Sequence, residues 1–270
     1  MTSLPGARLA SIHVYPVKSC APMKLQSALV QSRGLQFDRR WMLTDESGQF
    51  VTGRKFGGLV RVSVLADASG LALTAPGMQS LEVPVPAQAP RHIAEVWGAR
   101  VSVVDAGDVA AAWFSQFAGQ ALRLVHADAA AHRPVDPKYA QPGDEVSLAD
   151  GFPVLLLSQT AVQELTDRVG REMVAARFRP NLVISGVLAH AEDSWRRIRI
   201  GAIDFDVVTA CVRCAFTTVD PVSGERSADG EPLRSLKSYR HNGKGITFGQ
   251  NLIARGEGRI TVGEALHVIE

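Results

Sequence analysis

The sequence predicts a mainly β, barrel-like protein with a few helices. Three observations carry that expectation. Short runs rich in β-branched or alternating residues recur through the first hundred positions, and Gly, Pro and Asp stand between them. Only two or three stretches have helical spacing. At 270 residues and 46% hydrophobic content, the chain can bury a real core in one elaborate domain or two small ones.

In order along the chain, "RLASIHVYPVK", "RWMLTD", "VRVSVLAD", "GLALTA", "SLEVPV" and "RVSVVDA" read as strands. "GDVAAAWFSQFAG" (107–119) reads as a helix with Val109, Ala112, Trp113 and Phe117 on one face. Residues 127–150 are polar and carry three prolines, so they form a long loop and the expected boundary between parts 1–125 and 126–270. "FPVLLL" is the continuous apolar run of a fully buried strand, and Ser158 after it is placed to cap a helix starting near Gln159. "NLVISG" is a further strand. "RIRIGAIDFDVVTA" alternates, with Ile203, Phe205 and Val207 on one side and Asp204 and Asp206 on the other. "GRITVGEALHVI" reads as a closing hairpin.

Charge is nearly balanced, 29 Lys+Arg against 27 Asp+Glu, which argues against nucleic-acid or membrane partners. The N-terminus lacks the apolar core of a signal peptide, and no apolar run approaches the roughly 20 residues of a membrane span. Three cysteines make a poor disulfide framework. A soluble protein of a reducing, cytoplasmic compartment is expected. Walker A, GxGxxG and HExxH patterns are absent. His13 and His267 sit in strand patterns and read as packed or surface imidazoles.

The chemistry-bearing feature is Cys211-Val-Arg-Cys214. A structural zinc site wants four ligands, and only Cys20 and His241 are available to complete one. A thioredoxin-like pair wants its first Cys at a helix N-terminus, but here an alternating strand runs into Cys211. Residues three apart in a strand face opposite sides, so unless the chain turns at Val212–Arg213, Cys211 packs and Cys214 faces a site. Arg213 beside Cys214 favours a thiolate, and a single thiolate suits a soft metal whose other ligands come from a cofactor. Lys18 and Ser19 in "PVKSC", "DRRW" (38–41), and Arg179 and Asn181 around Pro180 in "RFRPN" are each read singly as solvated surface groups. Together with "FGQN" (248–251) they compose a pocket for an anionic ligand.

"VYPVKSC", "DRRW", "FRPNLVISG", "AEDSW", "CVRCAFTTVDPVSG", "EPLRSLKSYR" and "FGQN", in this order, resemble the MOSC family, the molybdenum-cofactor sulfurase C-terminal-like domain. The likeness is to the branch containing the mitochondrial amidoxime-reducing component and bacterial homologues, and it runs from about residue 8 to 268. It implies an N-terminal MOSC-associated β-barrel-like domain followed by a MOSC β-barrel domain, with a pterin-based molybdenum cofactor (Mo-molybdopterin) in the cleft between them. Family descriptions also associate pyridoxal phosphate binding with such proteins.

By motif, the resemblance implies that Cys214 is the thiolate on molybdenum. It implies that Lys18, Ser19 and Arg39 hold the cofactor from the N-terminal part and Arg179 and Asn181 from the other. Arg213, Gly249, Gln250 and Asn251 would lie near metal and pterin. Gly151 and Phe152 stand where relatives place small hydroxylated residues, which leaves backbone contacts there. The implied activity is reduction of small N-hydroxylated compounds, N–OH to N–H. With three cysteines and no flavin or nicotinamide fingerprint, electrons are expected from a separate flavoprotein reductase, cytochrome or ferredoxin-like protein. The rival expectation is a non-catalytic carrier of the cofactor, or of sulfur on Cys214. Asp220 and His241 are candidate proton carriers, Asp220 reading better as a turn residue.

Overall fold

The computed structural model describes residues 2–87 and 89–270. Seven strands close into a barrel in the order Val154–Ser158, Leu182–Ser185, Thr2–Val14, Ala265–Val268, Arg197–Ile200, Ile203–Val212 and Gly245–Ala254. The ring is closed by antiparallel pairing of Val154–Ser158 with Gly245–Ala254. Val154–Ser158 and Leu182–Ser185 pair in parallel; every other step is antiparallel. Closure removes free edges. Inside sit Leu9, Ile12, Leu156, Ile184, Ile198, Phe205 and Leu252, all fully buried. They come from inward positions of the alternating strands, as the pleat requires.

The first strand belongs to this barrel although the barrel's other six strands come from the second half of the chain. Likewise Ser27–Gln31 pairs with Gly258–Thr261. The rest of the N-terminal part forms a five-stranded sheet, Arg91–Val96, Ala99–Asp105, Arg123–His126, Trp41–Thr44 and Phe50–Val51, and a three-stranded sheet from Ser63 to Pro84. These surround a second core of Trp41, Leu43, Leu59, Leu71, Leu73, Trp113, Phe114 and Leu124.

Several details differ from the sequence expectation. The Asp108–Ala118 helix buries Ala110, Ala111, Trp113 and Phe114, while Val109 is 70% exposed. Ala112 is exposed as well, so of the four residues expected on the packed face only Trp113 and the partly buried Phe117 lie against the core. The Gln159–Val169 helix begins where expected, but the Ser158 hydroxyl makes no cap and donates to Glu192 Oε1 at 3.0 Å. The tail is not a hairpin. Gly258–Thr261 and Ala265–Val268 pair with different strands, because the turn at Gly263 is pinned to Leu9 instead. A helix over Leu233–Arg240 and the strands Ser27–Gln31, Arg91–Val96 and Arg123–His126 had no clear signal. Among the described residues no helix is long and apolar enough to cross a membrane.

Candidate functional site

A cleft of about 830 Å³, counted to its open mouth, lies where the barrel meets the N-terminal sheets. Lys18, Ser19, Arg39, Gly151, Phe152, Arg179, Asn181, Arg213, Cys214 and Asn251 all line it, brought together from segments far apart in sequence. Gly249 and Gln250 do not line it. Gln250 alternates to the other face of its strand and donates to Asp193 Oδ1 at 2.7 Å. Gly249 (φ +76°) lies behind the wall, where an added Cβ would meet Leu156 O at 2.6 Å and Arg213 Nη2 at 3.5 Å.

Each cation is held by a distinct device. A parallel bridge between Val17 and Trp41, with Lys18 N–H donating to Trp41 O, sets Lys18 at the end of the first strand. Its buried Nζ donates to Asp150 Oδ1 at 2.6 Å and to Leu148 O at 2.8 Å. Burial pulls the Lys18 ammonium below its ordinary value, and Asp150 resists this. Enclosure opposes charge on Asp150, but Lys18, the Trp97 indole N–H and Arg54 outweigh it and hold the carboxyl below the usual range.

Ser19 (φ 73°), Arg39 (φ 47°) and Arg179 (φ 55°) all adopt the left-handed conformation. Non-glycine residues rarely do so, and such strain, of order 1–3 kcal/mol each, clusters at functional sites. Arg39 donates to Asp38 Oδ2 (2.6 Å), Asn181 Oδ1 (3.1 Å) and Arg179 O (3.1 Å). Arg179 donates to Cys20 O at 2.8 Å. Both guanidinium groups lie over the ring of buried Tyr15, at 4.2 and 4.0 Å. Burial lowers Arg179 to about 10. Asn181 uses three of its four hydrogen-bonding positions: its Oδ1 accepts from Arg39 and from Leu155 N–H, and its Nδ2 donates one N–H to His13 O.

Arg213 donates to Phe248 O through Nε and Nη2 and to Phe178 O through Nη1. Its guanidinium braces the cleft wall, so its fork is spent on backbone. Arg177 donates to Asp220 Oδ2 at 2.6 Å, while Asp220 accepts from the Val222 and Ser223 N–H groups as a turn residue. His241 lies outside the cleft lining.

The two thiols do not face opposite sides. The register shifts between Ala210 and Val212, the strand ends at Val212, and a 3-10 turn starts after Cys214. Both Cys211 and Cys214 therefore line the cleft. Burial raises the Cys211 thiol, against the Arg213 charge. The third, Cys20, packs in the N-terminal core and burial pushes its thiol up to about 12. Among the described residues no three His, Cys, Asp or Glu side chains gather as a metal set, so no four-ligand zinc site forms.

The lining also contains Thr52, Arg54, Asp150, Arg177, Phe216 and Thr217, none of them among the expected site residues. Arg177 had a signal, since it stands two residues before Arg179 in "RFRPN". Phe216 and Thr217 had one as well, since both stand within "CVRCAFTTVDPVSG", whereas Arg54 had none. In total six cations, Lys18, Arg39, Arg54, Arg177, Arg179 and Arg213, meet one lining carboxylate, Asp150. Two donors, Arg179 Nη2 and Arg177 Nε, are shielded from solvent with no hydrogen-bond partner. Buried orphan donors in a cationic cleft are the signature of a place for an anion.

The chain matches the MOSC N-terminal beta barrel domain over residues 6–121 and the MOSC domain over residues 143–267. It is 35% identical over 280 residues to mitochondrial amidoxime-reducing component 1 of Homo sapiens, covering 97% of this chain and 82% of that one. The Danio rerio counterpart is 34% identical, covering 95% and 83%. Mitochondrial amidoxime reducing component 2 of Bos taurus is 35% identical, covering 86% and 72%. The chain belongs to the MOSC-domain family, in the group that joins the N-terminal beta barrel domain to the MOSC domain and includes the mitochondrial amidoxime-reducing components.

Proposed function

We propose that the protein is a molybdenum-cofactor-dependent reductase that converts small N-hydroxylated compounds from N–OH to N–H, using electrons from a separate partner. The observation that carries this reading is one accessible cleft in which Cys214 stands beside six cations, two of them with unpartnered donors. The names of the relatives supply the reaction class.

The residues fit the cofactor. A phosphate and other anionic oxygens would take the free donors of Arg177 and Arg179, with Lys18 and Arg39 adding charge and Ser19 a hydroxyl. Cys214 would be the protein's thiolate on the metal. When bound, the cofactor supplies two-electron exchange and an acceptor for the substrate oxygen. Overall, R–NH–OH, two electrons and two protons give R–NH2 and water. Arg213 fixes the wall beside both thiols, Asn181 ties Arg39 to the strand at Leu155, and Tyr15 gives Arg39 and Arg179 an apolar base.

The test is purification with the cofactor supplied, metal analysis, and turnover of an aromatic amidoxime with reduced methyl viologen. Molybdenum near one per chain and conversion to the amidine are expected. Bound molybdenum without conversion would favour a carrier of the cofactor.

A further inference from the structure

The cations around the cleft form two populations. Those of the interior, described above, point at a small anionic ligand. A second set stands on the rim, and among the described residues its side-chain cations form no salt bridge, although the Lys138 backbone N–H donates to Asp136 Oδ1 at 2.9 Å. Lys138 and Lys244 both place Nζ over one ring, that of Tyr139, at 5.4 and 5.9 Å. Tyr139 packs edge-on against Phe152, a cleft-lining residue, at 5.6 Å between centroids. Lys244 rides on the hairpin tip whose Gly245 lies against Val212, another lining residue that is 51% exposed. At another part of the mouth, Arg226 donates to the backbone carbonyl of Arg54, and Lys55 follows Arg54 in the chain.

Lys55, Lys138, Arg226 and Lys244 are exposed, and among the described residues none forms a salt bridge. The whole chain carries only +2, so this concentration is local and not a general basicity. A bound cofactor would neutralise the interior cations and leave the rim positive. Exposed Val212 and Trp97 (45% exposed) supply apolar contact beside the rim. Trp97 reaches the mouth through its indole N–H on Asp150 Oδ1 and its ring under Arg54 at 4.0 Å.

We infer that this rim is the docking face for a small electron-transfer protein of acidic surface, which delivers electrons at the cleft mouth. The inference rests on the reductase reading and adds to it the face and the charge of the partner. Such encounters are small, transient and steered by charge, so they weaken with salt. No nucleic acid is favoured, because the whole chain carries a net charge of only +2.

The experiment uses the double variant Lys138→Glu/Lys244→Glu, neither residue being in the lining. Binding to a plant-type [2Fe–2S] ferredoxin of net negative charge is measured by surface plasmon resonance at about 20 and 500 mM salt, and turnover is measured with that ferredoxin and with methyl viologen. At low salt the variant should bind at least ten-fold more weakly than wild type and lose ferredoxin-driven turnover in proportion. High salt should bring wild type down to the variant. Viologen-driven turnover should be the same in both. Equal affinity of variant and wild type, or a parallel loss of viologen-driven turnover, overturns the docking face. Absence of viologen-driven turnover in wild type would strike the reductase reading instead, while the binding arm still decides the face.

Discussion

Lys18 Nζ and Asp150 Oδ1 stand 2.6 Å apart across 132 positions of sequence, joining the end of the first strand to the end of the long loop. Lys18 is buried, whereas the Asp150 side chain is 67% exposed and accepts from Lys18 and from the Trp97 indole N–H. Arg133 fixes only the backbone there, donating to the carbonyls of Ser147, Ala149 and Asp150. The carboxylate therefore sits as an internal stand-in for a ligand anion.

Asp150→Asn should tighten binding of inorganic pyrophosphate to the cofactor-free protein by several-fold, read by calorimetry. Unchanged or weaker binding would show that Asp150 does not compete with anions. The pair also has a pH signature. The folded carboxyl is depressed, so its contribution to stability is present above the unfolded value of about 3.9 and is lost as pH falls toward the folded value. Thermal melts of wild type and variant should converge in strong acid.

Cys214→Ser should abolish N-hydroxy reduction and lower molybdenum content, with the circular dichroism spectrum unchanged. Cys211→Ser should keep activity within a few-fold, because burial holds that thiol protonated. Equal loss in both variants would mean that the two thiols lining the cleft act together.

Arg179→Ala removes a charged donor from the lining and the bond to Cys20 O. Charged hydrogen bonds contribute about 1.5–3 kcal/mol, so cofactor retention should fall by roughly ten-fold or more. Wild-type molybdenum and pterin content in this variant would make Arg179 a purely structural arginine.

Gly53→Ala is expected to disturb the cleft from outside its lining. A Cβ there would lie 2.3 Å from the Phe216 ring, and Phe216 is part of the wall. Overpacking of this kind costs about 1–3 kcal/mol. The variant should melt lower and retain less cofactor, and adding Phe216→Leu should restore the melting temperature. No change in Gly53→Ala would mean that the Phe216 ring has room to turn.

The barrel was legible where strands are buried on both faces or alternate strictly, as in "FPVLLL" and "IDFDVV". The Arg91–Val96 strand was not, because "RHIAEV" is largely polar and is a strand only by pairing with Ala99–Asp105. Ten of the cleft residues were legible from short motifs. Gln250 was misplaced by neglect of alternation, since its neighbour Asn251 takes the inward position. The left-handed turns at Ser19, Arg39 and Arg179 had no signal, as none is glycine and each is held by contacts more than a hundred residues away or by a local turn. Cys211 was assigned to packing because a register shift inside a strand cannot be read from its residue types.

The place of the first strand in the barrel bears on biosynthesis. Thr2–Val14 is made before both of its barrel partners, Leu182–Ser185 and Ala265–Val268, the latter more than 250 residues further along the chain. Until Ala265–Val268 has been made, that strand presents unpaired amide groups and one apolar row, the kind of exposed edge that invites aggregation. The long sequence separation also raises contact order and slows folding. Expression of residues 1–125 alone would leave this strand without its barrel, so the nascent chain has good reason to meet a chaperone before it meets a cofactor.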